Sequence, residues 1–342
     1  MQDPTPRLNT SSEQNVIPLA NQVEIRNSLS EHVECVIEPG VTRYWDEFRV
    51  HAEPHTIAID GYVEGPIQRD LQRKVINLNH HERVDRSSTL ATCQQALFEI
   101  RRGLFGALQQ DGEFKAKICM NDCDEDVCTT VFILRHPEFS AKIDNPALNR
   151  LVEMEGIMDV TGGFYPWPQS YPSLAEFFWV YQPYHEFRNS GGLSRQNPDE
   201  YQAVIDAVGE RIEQHITGQG GSIELDTRYT KLAQQGIWTM VEETGQHAKV
   251  GMLSDGIQAF TSVSELPNGR YKYSVGRLSP YIPFDLNSLY AYLNDLEGLT
   301  GEDCWGGGDT IGGSPRNAGS SIAPSQMAEI VQRFITPNRP MN

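Results

Sequence analysis

The chain has 342 residues, 39% hydrophobic and 22% charged, with a formal net charge of −18. That length allows two domains with separate cores, and the composition is that of an ordinary globular protein. No apolar run long enough for a helical membrane span occurs, and the acidic balance argues against long duplex nucleic acid as a partner. A short phosphorylated ligand stays open, because a metal and a few arginines suffice for a local positive pocket.

The N-terminus, MQDPTPRLNTSSEQN, is polar and lacks the basic-then-apolar order of a secretory signal, so the expected location is the cytoplasm. Residues up to about 50 are weakly patterned, with HVECVIEP as a short strand candidate. TIAIDGYV and KVINLN then read as buried strands. STLATCQQALFEIRRGLF has helical spacing, with Ser87 or Ser88 as its N-cap. KAKICM is a third strand, and DEDVCTTVFILRH a helix with an acidic first turn. This alternation predicts a parallel sheet wound with helices. Six cysteines read as reduced thiols, and the spacing of Cys119, Cys123 and Cys128 suits small packing residues better than zinc ligands.

Residues 140–195 are rich in aromatics, proline and glycine and read as a packed connection over the sheet edge. NPDEYQAVIDAVGERIEQHI is an amphipathic helix with Pro198 in its first turn, and GQGGS after it a flexible joint. A new unit follows, with strands in GIWTMVEE, GIQAFTSV and RYKYSVGR. Helices are expected in LNSLYAYLNDLEG and SQMAEIVQRFI, on either side of the glycine-rich WGGGDTIGGSPRNAGSS. The expected fold class is α/β: a parallel sheet flanked by helices, plus a smaller C-terminal α/β domain with a mixed sheet. The divisions are 1–195 for a metal-binding domain with an N-terminal extension, 196–235 for a linker helix, and 236–342 for a substrate-binding domain.

In open parallel sheets, ligands bind beyond the carboxyl ends of the strands. Asp60 closes the first run, Asn79-His80-His81 the second, and Asn121-Asp122 follows the third. Their convergence predicts a divalent-metal site with Asp60, His80, Asp122 and Asp124 as ligands, and His81 and Asp126 as catalytic assistants. Carboxylates with imidazole suit Mn²⁺ first and Mg²⁺ second. A pair of such ions about 4 Å apart can polarise a phosphoryl group and activate water. Taken alone, Asp60 reads equally as a turn aspartate and Asp124 to Asp126 as the acidic start of a helix. DCDED lacks the glycine and terminal glutamate of a calcium loop.

In the second unit, Gly307, Gly308, Gly312, Gly313, Ser314 and Arg316 form a candidate anion cradle, where glycines let backbone amides approach a phosphate. Arg277 is either a second anion clamp or a surface arginine. Tyr184, His185 and Arg188 form a weaker group.

The order of these features resembles the DHH phosphoesterase superfamily with a DHHA1-type C-terminal domain. In that family a strand-end Asp is followed by Asp-His-His and then by a Ser/Thr-rich helix start. Here Asp60, Asn79-His80-His81 and SSTLATCQQ stand in that order, and a further metal-binding Asp corresponds to Asp122. The family's GG-rich motif follows a strand bearing Ser and Arg, as WGGGDTIGGSPRNAGSS follows RYKYSVGR. The resemblance spans residues 55–135 and 236–335; Asn79 replaces the first Asp of the signature, and the family's first motif has no match before Asp60. It implies a hydrolase acting on a small phosphorylated substrate such as a dinucleotide, a nucleotide-derived metabolite or a short oligonucleotide, with a homodimer left open. The alternative is a non-catalytic nucleotide- or phosphate-binding regulator that retains the fold.

Overall fold

A computed structural model describes residues 33–110, 112–301 and 303–336; the expected N-terminal extension lies outside the described residues as far as residue 32. The chain is α/β, with a mostly parallel sheet flanked by helices and a separate C-terminal domain built on a mixed sheet.

The first sheet contains β1 (Val33–Ile37), β2 (Thr56–Ile59), β3 (Gln68–Asp70), β4 (Val75–Leu78) and β5 (Ala116–Met120). Their order is β1-β5-β2-β4-β3, all parallel except the edge strand β3. Side chains alternate between faces. Ile57, Ile59, Ile76, Leu78, Ile118 and Met120 enter the main core, while Ala58, Val75 and Cys119 face a smaller one. That smaller core is closed by Phe48 of α1 (Trp45–His51). A sheet buried on both faces needs continuous apolar strands, and these are what the sequence supplies.

The main face carries α2 (Thr92–Arg101), α3 (Glu125–Arg135), α4 (Pro146–Val160), α5 (Pro172–Val180), α6 (Gln182–Asn189) and α7 (Pro198–Ile216). Three of them lie in the stretch read as a connection, which is therefore largely helical. The aromatic runs fill their contacts, with Phe177 and Tyr181 rings 4.7 Å apart. Asn197 caps α7 by accepting from the Asp199 amide at 3.0 Å. Tyr201, Val204, Ile205, Val208 and Ile212 of this helix join the main core, so it belongs to the N-terminal layer. Ser87 and Ser88 form a short 3₁₀ turn capped by Asp85 instead of starting α2, which begins at Thr92.

The second sheet runs β6 (Tyr229–Gln235), β7 (Trp238–Glu243), β8 (Ala259–Glu265), β9 (Tyr271–Arg277), then β11 (Ile311–Gly313) and β10 (Gly306–Gly307) at the far edge. Only β7 and β8 pair in parallel, bridged by α8 (Ala248–Ser254). α9 (Leu286–Glu297) and α10 (Pro324–Phe334) cover one face over Trp238, Tyr273 and Trp305. On the other face Phe260 meets Phe164 of the first domain, ring centroids 4.7 Å apart. All six cysteines are free thiols. Cys119 faces the smaller core while Cys123 and Cys128 lie in the main one. No helix among the described residues is long and apolar enough to cross a membrane.

Candidate metal centre

Because β2, β4 and β5 are parallel, the residues after them emerge along one edge. Asp60 turns out of β2 with φ +47°, a left-handed conformation uncommon for a residue with a side chain. Gly61 continues the turn at φ +80°. The turn is pinned from β4 by Asn79, whose Oδ1 accepts from the amides of Gly61, His80 and His81 at 3.1, 2.8 and 3.1 Å. Its Nδ2 donates to Val63 O, Gly65 O and Glu82, at 3.1, 2.8 and 2.7 Å. A carboxylate could supply the acceptor half of this network but not the donor half. Asn79 thus orients the two histidines from beneath.

His80 is wholly buried. Its Nε2 lies 3.0 Å from Asp159 Oδ2, 3.4 Å from Asp60 Oδ1 and 3.6 Å from Asp126 Oδ2. Neither ring nitrogen makes an aligned hydrogen bond, so both are orphaned in the interior. His81 is part-exposed and its Nε2 is 2.6 Å from Asp60 Oδ1, which also accepts from Thr92 Oγ1 at 3.1 Å. Among the described residues, three sets of ligand atoms lie close enough to hold a metal ion: Asp60–His80–His81, His80–Asp126–Asp159 and Cys93–Asp126–Glu155. A buried imidazole with unpartnered nitrogens, ringed by carboxylate oxygens, fits a divalent cation.

Asp126 arrives from α3, and its two oxygens accept from the amides of Thr92 and Cys93 at 2.7 and 2.6 Å. It supplies the cap that Ala91 cannot give α2, using the attraction of a helix N-terminus for an anion. Burial, then the charges of Asp60 and Asp159, push its carboxyl up to about 7. Burial pulls the His80 imidazole down, but Asp159 and Asp60 outweigh it and raise the pKa to about 10. Burial would raise Asp60, yet His81 and His80 hold it well below the carboxylate range.

Asp122 and Asp124 fall outside the three ligand sets. Asp122 Oδ1 accepts from the Cys123 amide at 2.7 Å, and Asp124 caps α3 by accepting from Val127 N at 3.0 Å. Both remain within the field of Asp60: burial first, and then carboxylate charges that include Asp60, raise their pKa values. Two contributors went unread in the sequence. Glu155 and Asp159 sit one turn apart on α4, both turned to the cluster. Arg86 Nη2 contacts both oxygens of Asp159 at 3.1 Å. The two form an i, i+4 pair, but Asn149, Arg150 and Glu153 share the helix, so no local pattern sets them apart.

The glycine-rich segment is a tight hairpin. Gly307 lies opposite Gly312, and Gly306 opposite Gly313. A Cβ on Gly312 would strike the Tyr290 hydroxyl and the Gly306 carbonyl, and one on Gly313 the Tyr273 carbonyl, so these two glycines are required by packing. Gly308 N bonds Ile311 O at 2.8 Å across the turn. Ser314 Oγ accepts from Tyr273 N at 3.0 Å, while Arg316 is exposed in a turn. Arg277 spends its donors on the carbonyls of Asp309 (2.7 Å) and Ile282 (3.2 Å), shaping the hairpin tip. Ile311 of the hairpin is packed so closely on Gly162 that a Cβ there would overlap it. Gly162 follows the end of α4, three positions after Asp159. Lys249 Nζ reaches Gly162 O at 3.1 Å. His185 Nε2 pairs with Glu125 at 2.7 Å, Tyr184 is buried, and Arg188 is exposed, with Glu125, Asp124 and Asp122 among the charges it feels.

No family model matches the chain, and no curated protein matches it.

Proposed function

We propose that the protein is a metal-dependent phosphoesterase acting on a small phosphorylated substrate, with Mn²⁺ preferred over Mg²⁺. The observation that carries this reading is the buried His80 ring, with orphaned nitrogens and oxygens of Asp60, Asp126 and Asp159 within 3.6 Å. A mixed imidazole and carboxylate donor set suits Mn²⁺. The resemblance of Asp60, Asn79-His80-His81 and the terminal glycine hairpin to the DHH phosphoesterases adds support.

Asp60, His80 and His81 would hold the ion. A divalent cation bound there lowers the pKa of a coordinated water and draws charge from a phosphoryl oxygen. Asn79 fixes both histidine backbones, Asp126 ties the cluster to the start of α2, and Thr92 Oγ1 orients Asp60. A dinucleotide or short oligonucleotide suits so acidic a chain better than a duplex. Arg188, within the field of Asp122 and Asp124, is a further candidate anion contact.

One observation favours a second reading, a non-catalytic phosphate-binding protein. The carboxylate at the end of β1, Glu38, is occupied by Arg43 at 3.0 Å and by the Tyr62 hydroxyl, leaving that strand end without a metal ligand. The deciding experiment assays the purified chain with Mn²⁺ or Mg²⁺ on phosphodiesters and phosphomonoesters. Product release that depends on metal supports the enzyme. No turnover, with nucleotide binding intact by calorimetry, supports the binding protein.

A further inference from the structure

Two of the ligand sets share His80, and they are not equivalent. Around the first, the bonds to Asp60 fall on Oδ1, from His81 and Thr92. In the second, both oxygens of Asp126 are taken by backbone amides, and both oxygens of Asp159 by one nitrogen of Arg86. Two-metal hydrolases set their ions about 4 Å apart. A second ion beside His80 would enter the His80–Asp126–Asp159 set, where a guanidinium already contributes positive charge; the remaining set, Cys93–Asp126–Glu155, is fully buried and shares the Asp126 oxygens that the two amides hold.

We propose that the centre takes one divalent ion, on Asp60, His80 and His81, and that Arg86 stands in the place of a second. This rests on the metal-dependent reading above. One nitrogen of His80, Nε2, faces Asp60, Asp126 and Asp159, and one lone pair binds one ion; an ion on Asp60, His80 and His81 leaves the second set only carboxylates whose oxygens are already held. A second divalent ion placed there would lie against the guanidinium, where repulsion is poorly screened. Arg86 also has donors to spare. Only Nη2 holds Asp159, and the side chain is 38% exposed. A planar fork with unused N–H groups can bind a phosphoryl oxygen, which is the service a second ion renders.

The test counts ions on the full chain by Mn²⁺ calorimetry, with electron paramagnetic resonance reporting whether bound ions are spin-coupled. The expected result is one uncoupled equivalent for the wild type and for Arg86→Lys, which keeps the charge. Arg86→Gln should take up a second equivalent and show a coupled pair. Arg86 lies in a surface turn with its side chain 38% exposed, so the substitutions spare the core. Two equivalents in the wild type, or one in Arg86→Gln, would overturn the single-ion inference and leave the phosphoesterase reading standing. No bound ion in the wild type would overturn both.

Discussion

Replacing Asp126 by alanine tests whether this carboxylate does structural work at the start of α2. The side chain is buried and accepts two backbone donors, Thr92 N at 2.7 Å and Cys93 N at 2.6 Å. Hydrogen bonds to a charged group contribute about 1.5–3 kcal/mol each, so the gross loss is roughly 3–6 kcal/mol. Part is returned, because burial and the neighbouring Asp60 and Asp159 disfavour the ionised Asp126. A net local loss of about 2–3 kcal/mol follows, equivalent to roughly 30- to 150-fold faster opening of the helix. Hydrogen exchange followed by mass spectrometry, without added metal, reads this directly from peptides covering Thr92–Arg101. Peptides from β8 and β9 in the second domain serve as the control and should not change. Unaltered exchange in α2 would refute the capping role. Asp126→Asn, which retains an acceptor for one amide, should fall between the two.

Further outcomes follow from the same geometry. His80→Ala should weaken Mn²⁺ binding by at least about 100-fold in calorimetry, since even outer partners of metal ligands are worth 10- to 100-fold; unchanged affinity would remove His80 from the site. His80 has a folded-state pKa of about 10, against an ordinary 6.5. Its imidazolium therefore stabilises the metal-free fold below pH 6.5, and that contribution is lost as pH rises through about 10. Metal competes with the same proton, so Mn²⁺ affinity should increase with pH across this window. Calorimetry in buffers of different ionisation enthalpy should then detect proton release at pH 7. Asn79→Asp forfeits donations to Val63 and Gly65 and sets a second carboxylate against Glu82. It should lower stability by about 2–4 kcal/mol in thermal melts and raise no activity. Gly312→Ala would crowd the Tyr290 hydroxyl and should destabilise the second domain by about 1–3 kcal/mol in urea titration.

The parallel sheet was legible because its strands are buried on both faces. TIAI, VINL and AKICM carry the continuous apolar signature that such burial requires, and their polar ends then fall on one edge. Asp60 and the histidine pair stand at such ends, and the structure brings them together. The acidic cluster after β5 was harder to apportion. Three aspartates at alternate positions look alike in sequence, but helical geometry separates them: Asp124 turns back to cap its own helix, while Asp126 reaches across to cap α2. Asp159 and Arg86 contribute through tertiary packing of α4 and a surface turn, which no local pattern encodes. The aromatic and proline-rich stretch concealed its helices because prolines start them, at Pro146 and Pro172, in place of breaking them. The glycine-rich segment suggested a phosphate cradle; at Gly312 and Gly313 the small side chain is instead demanded by Tyr290 and the Tyr273 backbone.

The central claim is that a divalent ion sits among side chains delivered by β2 and β4. Anomalous diffraction from crystals soaked in Mn²⁺ tests it most directly. A single strong peak within coordinating distance of Asp60, His80 and His81 is the predicted result. A map without a peak there, or with manganese only at Asp122 and Asp124, would contradict it.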